Sequence, residues 1–166
     1  MAQTAYLGLG SNQSDRLAQL RAAVESLDAH DRIEVVARSS VYETEPVGEI
    51  LDQPDFYNAV VAVETGLTPR ELLDACKRIE RELGRPEGGP RHAPRPIDID
   101  LLVIEDIALS EDGLVIPHPE LANRRFVLAP LDELAPEVTL ADGRTPAQAL
   151  AAMGDGQRVE RIAPLA

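Results

Sequence analysis

Two aspartates set one residue apart, Asp98 and Asp100, stand in an otherwise apolar run over residues 97–104. A short run rich in Ile, Leu and Val predicts a buried strand. Because strand side chains alternate between faces, both carboxylates should share one face, about 6.6 Å apart. Ile97, Ile99 and Leu101 should line the other face. The fold must therefore give two neighbouring like charges a partner, because an unpaired carboxylate is too costly to bury.

Two kinds of partner are compatible with the residues alone. Arg91 and Arg95 lie just upstream and could form an ion-pair network with the aspartates at the entrance of the strand. Alternatively, the carboxylates could hold magnesium, which binds proteins through one or two carboxylates together with substrate phosphates, and two such ions could share the pair. Both interpretations stay open at this point.

The composition narrows the choice of ligand. The 166 residues carry a net charge of −13, which argues against a nucleic acid or an anionic membrane as partner. Six of the 16 Lys and Arg residues nevertheless fall between positions 77 and 95. A local basic cluster in an acidic protein predicts a small anionic ligand, and the chain length predicts one domain over residues 1–166.

The single cysteine and the N-terminal sequence bear on the compartment. Cys76 has no cysteine to pair with, and its place in an apolar helical stripe predicts a core residue. The N-terminus has no basic stretch followed by a hydrophobic segment, and the apolar runs are too short to span a bilayer. We expect a soluble, cytoplasmic monomer.

The order of predicted elements indicates a fold class. Apolar periodicity predicts strands over 4–9, 32–42, 58–65 and 97–104, and helices over 15–29, capped by Ser14, and from the Thr68 capping box to Gly84. This βαββαβ order is typical of an α+β, ferredoxin-like sandwich, whose antiparallel sheet is covered on one face by two helices. A helix over 126–134, a further start at Thr145-Pro146 and an edge strand over 158–162 are expected as C-terminal additions.

Two common nucleotide-binding motifs are excluded. The first predicted strand runs into Gly8 and Gly10, but Gln13 stands where a dinucleotide-binding motif has its third glycine. Lys77 is the only lysine and does not belong to a P-loop sequence. A phosphate group would therefore be held by Arg, His, backbone amides or a metal.

Aromatic and histidine residues near predicted loops have two interpretations. Phe56 and Phe126, the only phenylalanines, either anchor loops in the core or sandwich a flat ring. In the second case Asn58 could read the edge of that ring. His118 lies between two prolines, close to Arg124, and could be structural or functional.

Residues 95–102, Arg-Pro-Ile-Asp-Ile-Asp-Leu-Leu, resemble the signature of the 6-hydroxymethyl-7,8-dihydropterin pyrophosphokinases, enzymes of folate biosynthesis. Further blocks resemble the same family in the same order up to about Pro136. These blocks are residues 5–12, 52–59, 84–85, 117–118 and 123–126. Departures from the family pattern occur at His92, Gly113 and Pro119.

The resemblance implies an activity and a set of site residues. The activity is transfer of diphosphate from ATP to a pterin alcohol, with release of AMP. Asp98 and Asp100 would hold two Mg²⁺ ions, and Arg85 and Arg95 would neutralise charge during transfer. The implied ATP-binding residues are Glu80, Arg85, Arg91, Arg95, His118 and Arg124. The implied pterin-binding residues are Thr44, Val47, Phe56, Asn58 and Phe126.

Two other functions compete with this interpretation. A ferredoxin-like module that senses a nucleotide or a metal would leave ATP intact, and a metal-dependent phosphohydrolase would release phosphate without the pterin. Two carboxylates and two arginines on converging segments favour the transferase, because a sensor needs no stabilisation of transition-state charge.

Overall fold

The computed structural model describes residues 2–12, 15–44, 55–84, 97–153 and 159–165. The described strands are β1 (Gln3–Ser11), β2 (Ile33–Arg38), β3 (Ser40–Thr44), β4 (Phe56–Thr65), β5 (Asp98–Ile104), β6 (Leu109–Glu111), β7 (Leu114–Ile116) and β8 (Val159–Pro164). The described α-helices are α1 (Arg16–Asp28), α2 (Pro69–Glu82), α3 (Arg125–Leu134) and α4 (Pro146–Met153), and a 3-10 turn spans Leu121–Asn123.

The main sheet is antiparallel and runs in the order β5-β1-β4-β3-β8, with β2 also paired to β4. The predicted ferredoxin-like βαββαβ arrangement is confirmed. The strand expected over 32–42 is interrupted at Ser39, which separates β2 from β3. The Ser39 hydroxyl donates to the Ser40 carbonyl and accepts from the Val60 N–H. These bonds satisfy the polar groups at the interruption, so β4 pairs with both pieces.

The two helices predicted between strands begin at side-chain caps. In α2 the capping box is present, because Thr68 Oγ1 accepts from Glu71 N and the Glu71 carboxylate accepts from Thr68 N. Gly84 follows α2 with φ +100°, as a residue that ends a helix in the left-handed region often does. The N-cap of α1 is Asp15 rather than the expected Ser14, since the Asp15 carboxylate accepts from Ala18 N.

Helices lie on both faces of the sheet, which corrects the expectation of one covered face. One face packs against α1 and α2 through Leu7, Leu9, Val61 and Ile99, with Cys76 buried among them as predicted. The other face packs against α3 and α4, with Val60 and Leu102 at the contact. The C-terminal additions therefore form a second helical layer.

Helix α3 is fixed to the sheet by one carboxylate. Glu133 accepts hydrogen bonds from the Ser40 N–H, from Ser40 Oγ at 3.0 Å and from the Tyr42 hydroxyl at 2.8 Å. Burial and this carboxylate raise the pKa of Tyr42 to about 12. The Tyr42 hydroxyl therefore stays protonated and remains a donor at neutral pH.

A small hairpin, β6 and β7, was not expected from the sequence. Asp112 and Gly113 join its strands, and Gly113 has φ +74°. Glycine takes this conformation without steric cost. No helix among the described residues is long and apolar enough to cross a membrane.

Candidate active site

The two aspartates lie at the start of β5 and share one face, as predicted. Asp98 pairs with Gly10 and Asp100 pairs with Gly8 on β1, while Ile99 points into the core of the opposite face. The register shifts by one residue just beyond, where Leu102 has no partner on β1. Because side chains alternate, Asp98 and Asp100 lie on the same face as Leu102, which packs against the layer of α3 and α4.

Burial and the neighbouring like charge both affect the ionisation of the Asp98 and Asp100 pair. Surrounding protein atoms, and after them the Asp98 carboxylate, raise the pKa of Asp100, although 43% of the Asp100 side-chain surface is exposed. Both effects disfavour a second negative charge in the site. The pair is therefore suited to a bound cation.

The outer edge of β5 is held by α2. The Glu80 side chain is only 2% exposed, and its Oε2 accepts the backbone N–H of Ile99 at 2.7 Å. The Lys77 ammonium lies 3.9 Å from Glu80 Oε1. Glu80 thus meets the strand that carries the aspartates, and its contact with a nucleotide stays a prediction.

His118 is anchored beside Asp100 by its own backbone. Its N–H donates to the Leu102 carbonyl at 2.8 Å, and its Nδ1 accepts from the Glu120 N–H at 3.2 Å. Burial, and after it the Arg124 charge, lower the pKa of His118, while Asp100 acts in the opposite direction. A neutral ring that accepts at Nδ1 carries its proton on Nε2, so His118 offers one donor to a ligand.

Arg124 connects the aspartates with the aromatic side of the site. Its Nη1 lies 4.0 Å from Asp100 Oδ2, and its Nη2 is 2.5 Å from Glu120 Oε2. Its Cζ lies 5.9 Å from the centroid of the Phe126 ring. The guanidinium therefore stands between a carboxylate pair and an aromatic ring.

The amide of Asn58 lies on the same face of the sheet. Its Nδ2 donates to Thr44 Oγ1 at 2.6 Å, and both residues are buried. Gly10 lies between Asn58 and Asp98 in the strand ladder. Neighbouring strands are about 4.8 Å apart, so the amide and the carboxylate stand roughly 10 Å apart across Gly10.

Gly10 is a site residue that the sequence analysis did not single out. A Cβ at this position would lie 2.7 Å from Asn58 Oδ1 and 3.9 Å from Phe56 Cδ1. The absent side chain leaves room for the amide and the ring. The sequence held a signal for this role of Gly10. Because side chains alternate along β1, Gly10 must lie on the face opposite to the apolar Leu9.

The structure revises one expectation about the phenylalanines, and some of the predicted site residues lie outside the described part of the chain. Phe56 lies before the strand predicted over 58–65, but in the structure it begins β4. Phe126 lies in the first turn of α3, at the start of the helix predicted over 126–134. Regular backbone therefore presents both rings. The predicted residues Val47, Arg85, Arg91 and Arg95 lie outside the described residues.

The donor set fits magnesium with a bound nucleotide. Across the described part of the chain, no three His, Cys, Asp or Glu side chains are grouped so that they could hold a metal ion. Two neighbouring carboxylates, of which Asp100 is partly exposed, match the way Mg²⁺ is held by one or two carboxylates and substrate phosphates. Carboxylate oxygens are also the ligands that this ion prefers.

Sequence comparison gives a consistent family. A family model described as 7,8-dihydro-6-hydroxymethylpterin-pyrophosphokinase matches residues 6–136. A 2-amino-4-hydroxy-6-hydroxymethyldihydropteridine pyrophosphokinase of Methylorubrum extorquens is 48% identical over 158 residues, which are 95% of this chain and 98% of that protein. Proteins with the same name from Bacillus subtilis and Pseudomonas aeruginosa are 44% and 40% identical, and the matches cover 83% and 92% of this chain and 81% and 93% of theirs.

Solved structures share the fold. A crystal structure of Plasmodium falciparum HPPK-DHPS wild type with SDX-DHP matches with a TM-score of 0.66 at 19% identity, covering 90% of this chain. The A437G form with SDX-DHP matches with a TM-score of 0.72 at 17% identity, covering 92% of this chain. This chain spans 43% and 45% of those two longer chains.

Proposed function

Because the chain belongs to the 7,8-dihydro-6-hydroxymethylpterin-pyrophosphokinase family, we infer that it transfers diphosphate from ATP to the hydroxymethyl group of 6-hydroxymethyl-7,8-dihydropterin. AMP is the second product, and the reaction belongs to folate biosynthesis. The observation that best supports this activity is the rung Asp98–Gly10–Asn58, which combines a metal-binding carboxylate and a ring-reading amide on one face of the sheet.

We assign the phosphate side of the site to β5 and its neighbours. Asp98 and Asp100 hold the magnesium, with two ions proposed, and His118 and Arg124 contact the nucleotide. Support comes from the His118 anchor on Leu102 and from the 4.0 Å approach of Arg124 to Asp100. The remaining proposed ATP contacts are Glu80, Arg85, Arg91 and Arg95, of which Arg85 and Arg95 neutralise charge during transfer.

We assign the pterin side to β3, β4 and α3. Phe56 and Phe126 stack on the two faces of the ring, and Asn58 and Thr44 meet its edge, with Val47 beside them. The Asn58–Thr44 hydrogen bond supports this assignment, because it fixes which end of the amide is directed away from Thr44. A fixed amide can distinguish the donors and acceptors of a heterocycle.

The reaction needs one new bond and the loss of one old bond. The hydroxymethyl oxygen attacks the β-phosphorus of ATP in line, and the bond from that phosphorus to the oxygen bridging to the α-phosphorus breaks. AMP departs with the bridging oxygen, and the proton of the hydroxyl is released. Magnesium, when bound by Asp98 and Asp100, would supply charge neutralisation on the phosphate oxygens.

The contribution of the protein is positioning and electrostatic stabilisation rather than strong base catalysis. Asn58 and the phenylalanine rings orient the pterin alcohol. Arg124 and the His118 Nε2 proton stabilise charge on the phosphates, and both are held by hydrogen bonds before substrate arrives. Preorganised donors of this kind need no rearrangement during the reaction.

The activity can be tested with ATP, Mg²⁺ and the pterin alcohol, by separating the nucleotides after incubation. We expect AMP only when the pterin is present, and no AMP from Asp98→Asn. Asp142→Asn is the matched control, because it removes a carboxylate that is ion-paired with Arg144 and is not one of the proposed site residues. ADP or pterin-independent phosphate would indicate the phosphohydrolase, and ATP binding without turnover would indicate the sensor.

Three sequence predictions stay predictions for this protein. They are a single domain over residues 1–166, a monomeric state and a cytoplasmic location. Gel filtration with light scattering would test the monomer directly.

A further inference from the structure

Arg16, the first residue of α1, makes three directional contacts at the ends of β3 and β4. Its Nη1 lies 3.2 Å from Glu43 Oε2 and donates to the Asp55 carbonyl at 2.7 Å. Its Cζ stands 3.9 Å from the centroid of the Tyr57 ring. One guanidinium thus joins the residues on either side of segment 45–54.

These contacts are of a kind that stabilises. The side chains of Arg16 and Glu43 are only 26% and 28% exposed, so water screens the ion pair less than at an open surface. Stacking on an aromatic face and donation to both a carboxylate and a carbonyl require a planar group with several donors. Lysine could replace the charge but not the whole arrangement.

The strand register places this cluster directly behind the proposed pterin residues. Glu43 pairs with Tyr57, and the next pair outward is Thr44 with Phe56. Because side chains alternate, the partners of Arg16 lie on one face of the ladder, and Thr44 and Phe56 lie on the other. Tyr57 packs against the core of the α1 and α2 layer, which agrees with this assignment.

We propose that Arg16 is a positioning residue for the pterin substrate. By tying Glu43 to Asp55 at the end of the ladder, it holds the last pair in place, so that Phe56 meets a face of the pterin ring and Thr44 meets its edge. Arg16 acts through these strands and does not itself meet the substrate. The proposal rests on the proposed function, since it assumes that the pterin ring binds against Phe56 and Thr44.

The proposal predicts an effect on one substrate only. In Arg16→Ala, fraying of the strand ends should raise KM for the pterin roughly tenfold, because pterin binding must then also order the last pair of the ladder. KM for ATP should change less than about twofold, because the aspartates lie two strands away, beyond β1. Arg16→Lys should recover part of the pterin affinity.

A matched control is available on α2. Arg70 also stands in the first turn of a helix, pairs with a glutamate (Glu111, 3.0 Å) and donates to a backbone carbonyl (Asp112, 3.0 Å). Arg70→Ala should leave both KM values unchanged. A merely structural role of Arg16 would lower the melting temperature and the active fraction, which reduces kcat and leaves both KM values unaltered.

Steady-state kinetics in both substrates, with thermal unfolding of each variant, distinguish the outcomes. A selective rise of pterin KM in Arg16→Ala, partly reversed in Arg16→Lys, supports the proposal. An unchanged pterin KM, or equal rises for both substrates, overturns it. The proposed function would be contradicted by a different result: no AMP formed by the wild-type protein from ATP and the pterin alcohol.

Discussion

The Ile99 N–H donates to Glu80 Oε2 across 2.7 Å, so the end of α2 is joined to the residue between the two aspartates. β5 is the outermost strand on its side of the sheet, and an outward N–H there needs a partner other than a strand. A buried carboxylate supplies it. Fixing the Ile99 amide also fixes where the Asp98 and Asp100 side chains leave the backbone.

Substitutions of Glu80 can show whether it acts by holding the Ile99 N–H or by contacting the nucleotide directly. Glu80→Ala leaves the Ile99 N–H unpaired and should lower the free energy of unfolding by about 1–3 kcal/mol, with a fall in AMP formation. Glu80→Gln keeps an acceptor oxygen and should lose less of both. Urea unfolding and AMP release measure the two effects. Equal loss of activity in both variants would instead favour a role for the charge at the nucleotide.

Asp100→Asn should weaken the binding of the metal and nucleotide without lowering the stability of the unliganded protein. Without ligand, the variant should unfold at the same temperature as wild type or higher, because one of two like charges is gone. A non-hydrolysable ATP analogue with Mg²⁺ at 100 times its Kd should stabilise wild type by about 2.7 kcal/mol, and the variant far less. Thermal unfolding with and without EDTA measures this. A full ligand shift in the variant would contradict the assigned metal site.

Gly10→Ala should weaken pterin binding. The added Cβ would stand 2.7 Å from Asn58 Oδ1, so the amide must move, and pterin KM should rise about tenfold or more. Gly8→Ala is the control on the same strand and face, since its Cβ meets only the flexible Leu102 side chain, at 3.4 Å or beyond. Equal pterin KM values for the two variants would show that the Asn58 amide is not held as proposed.

The Glu133 cluster should make stability depend on pH. Burial raises the pKa of Glu133, but hydrogen bonds from Tyr42 and Ser40 outweigh this effect, so the pKa lies below its ordinary value. A carboxyl with a lowered folded pKa stabilises the protein at neutral pH and loses this contribution as the pH falls through that pKa. Glu133→Gln should therefore cost about 1 kcal/mol at pH 7. Urea unfolding at pH 7 and pH 3 would show the gap closing; a constant gap would contradict the assignment.

Local patterns predicted the parts of the fold whose causes are local. The capping box at Thr68 predicted where α2 begins, and the glycine at position 84 predicted where it ends, because both signals act within one helical turn. The alternation in β5 placed both aspartates on one face. The prediction of Ser14 as the N-cap of α1 was wrong, because the next residue, Asp15, is also of a capping type and its side chain makes the capping hydrogen bond.

Features that depend on distant contacts were missed. The second helical layer depends on which face of the sheet α3 and α4 reach, and Glu133 fixes this through residues more than 90 positions away. The interruption at Ser39 depends on Val60, and the need for glycine at position 10 depends on Asn58. The family resemblance named site residues that spacing alone could not assign, but it did not indicate Arg16.

The bulge at Leu102 limits which changes in length β5 can accept. Upstream of it, odd positions belong to one hydrophobic layer and even positions to the solvent-facing site. Inserting or deleting one residue between 98 and 101 would exchange the two sets, burying a carboxylate and exposing isoleucine. This strand can therefore vary by substitution but not by length, and insertions in related chains should fall outside it.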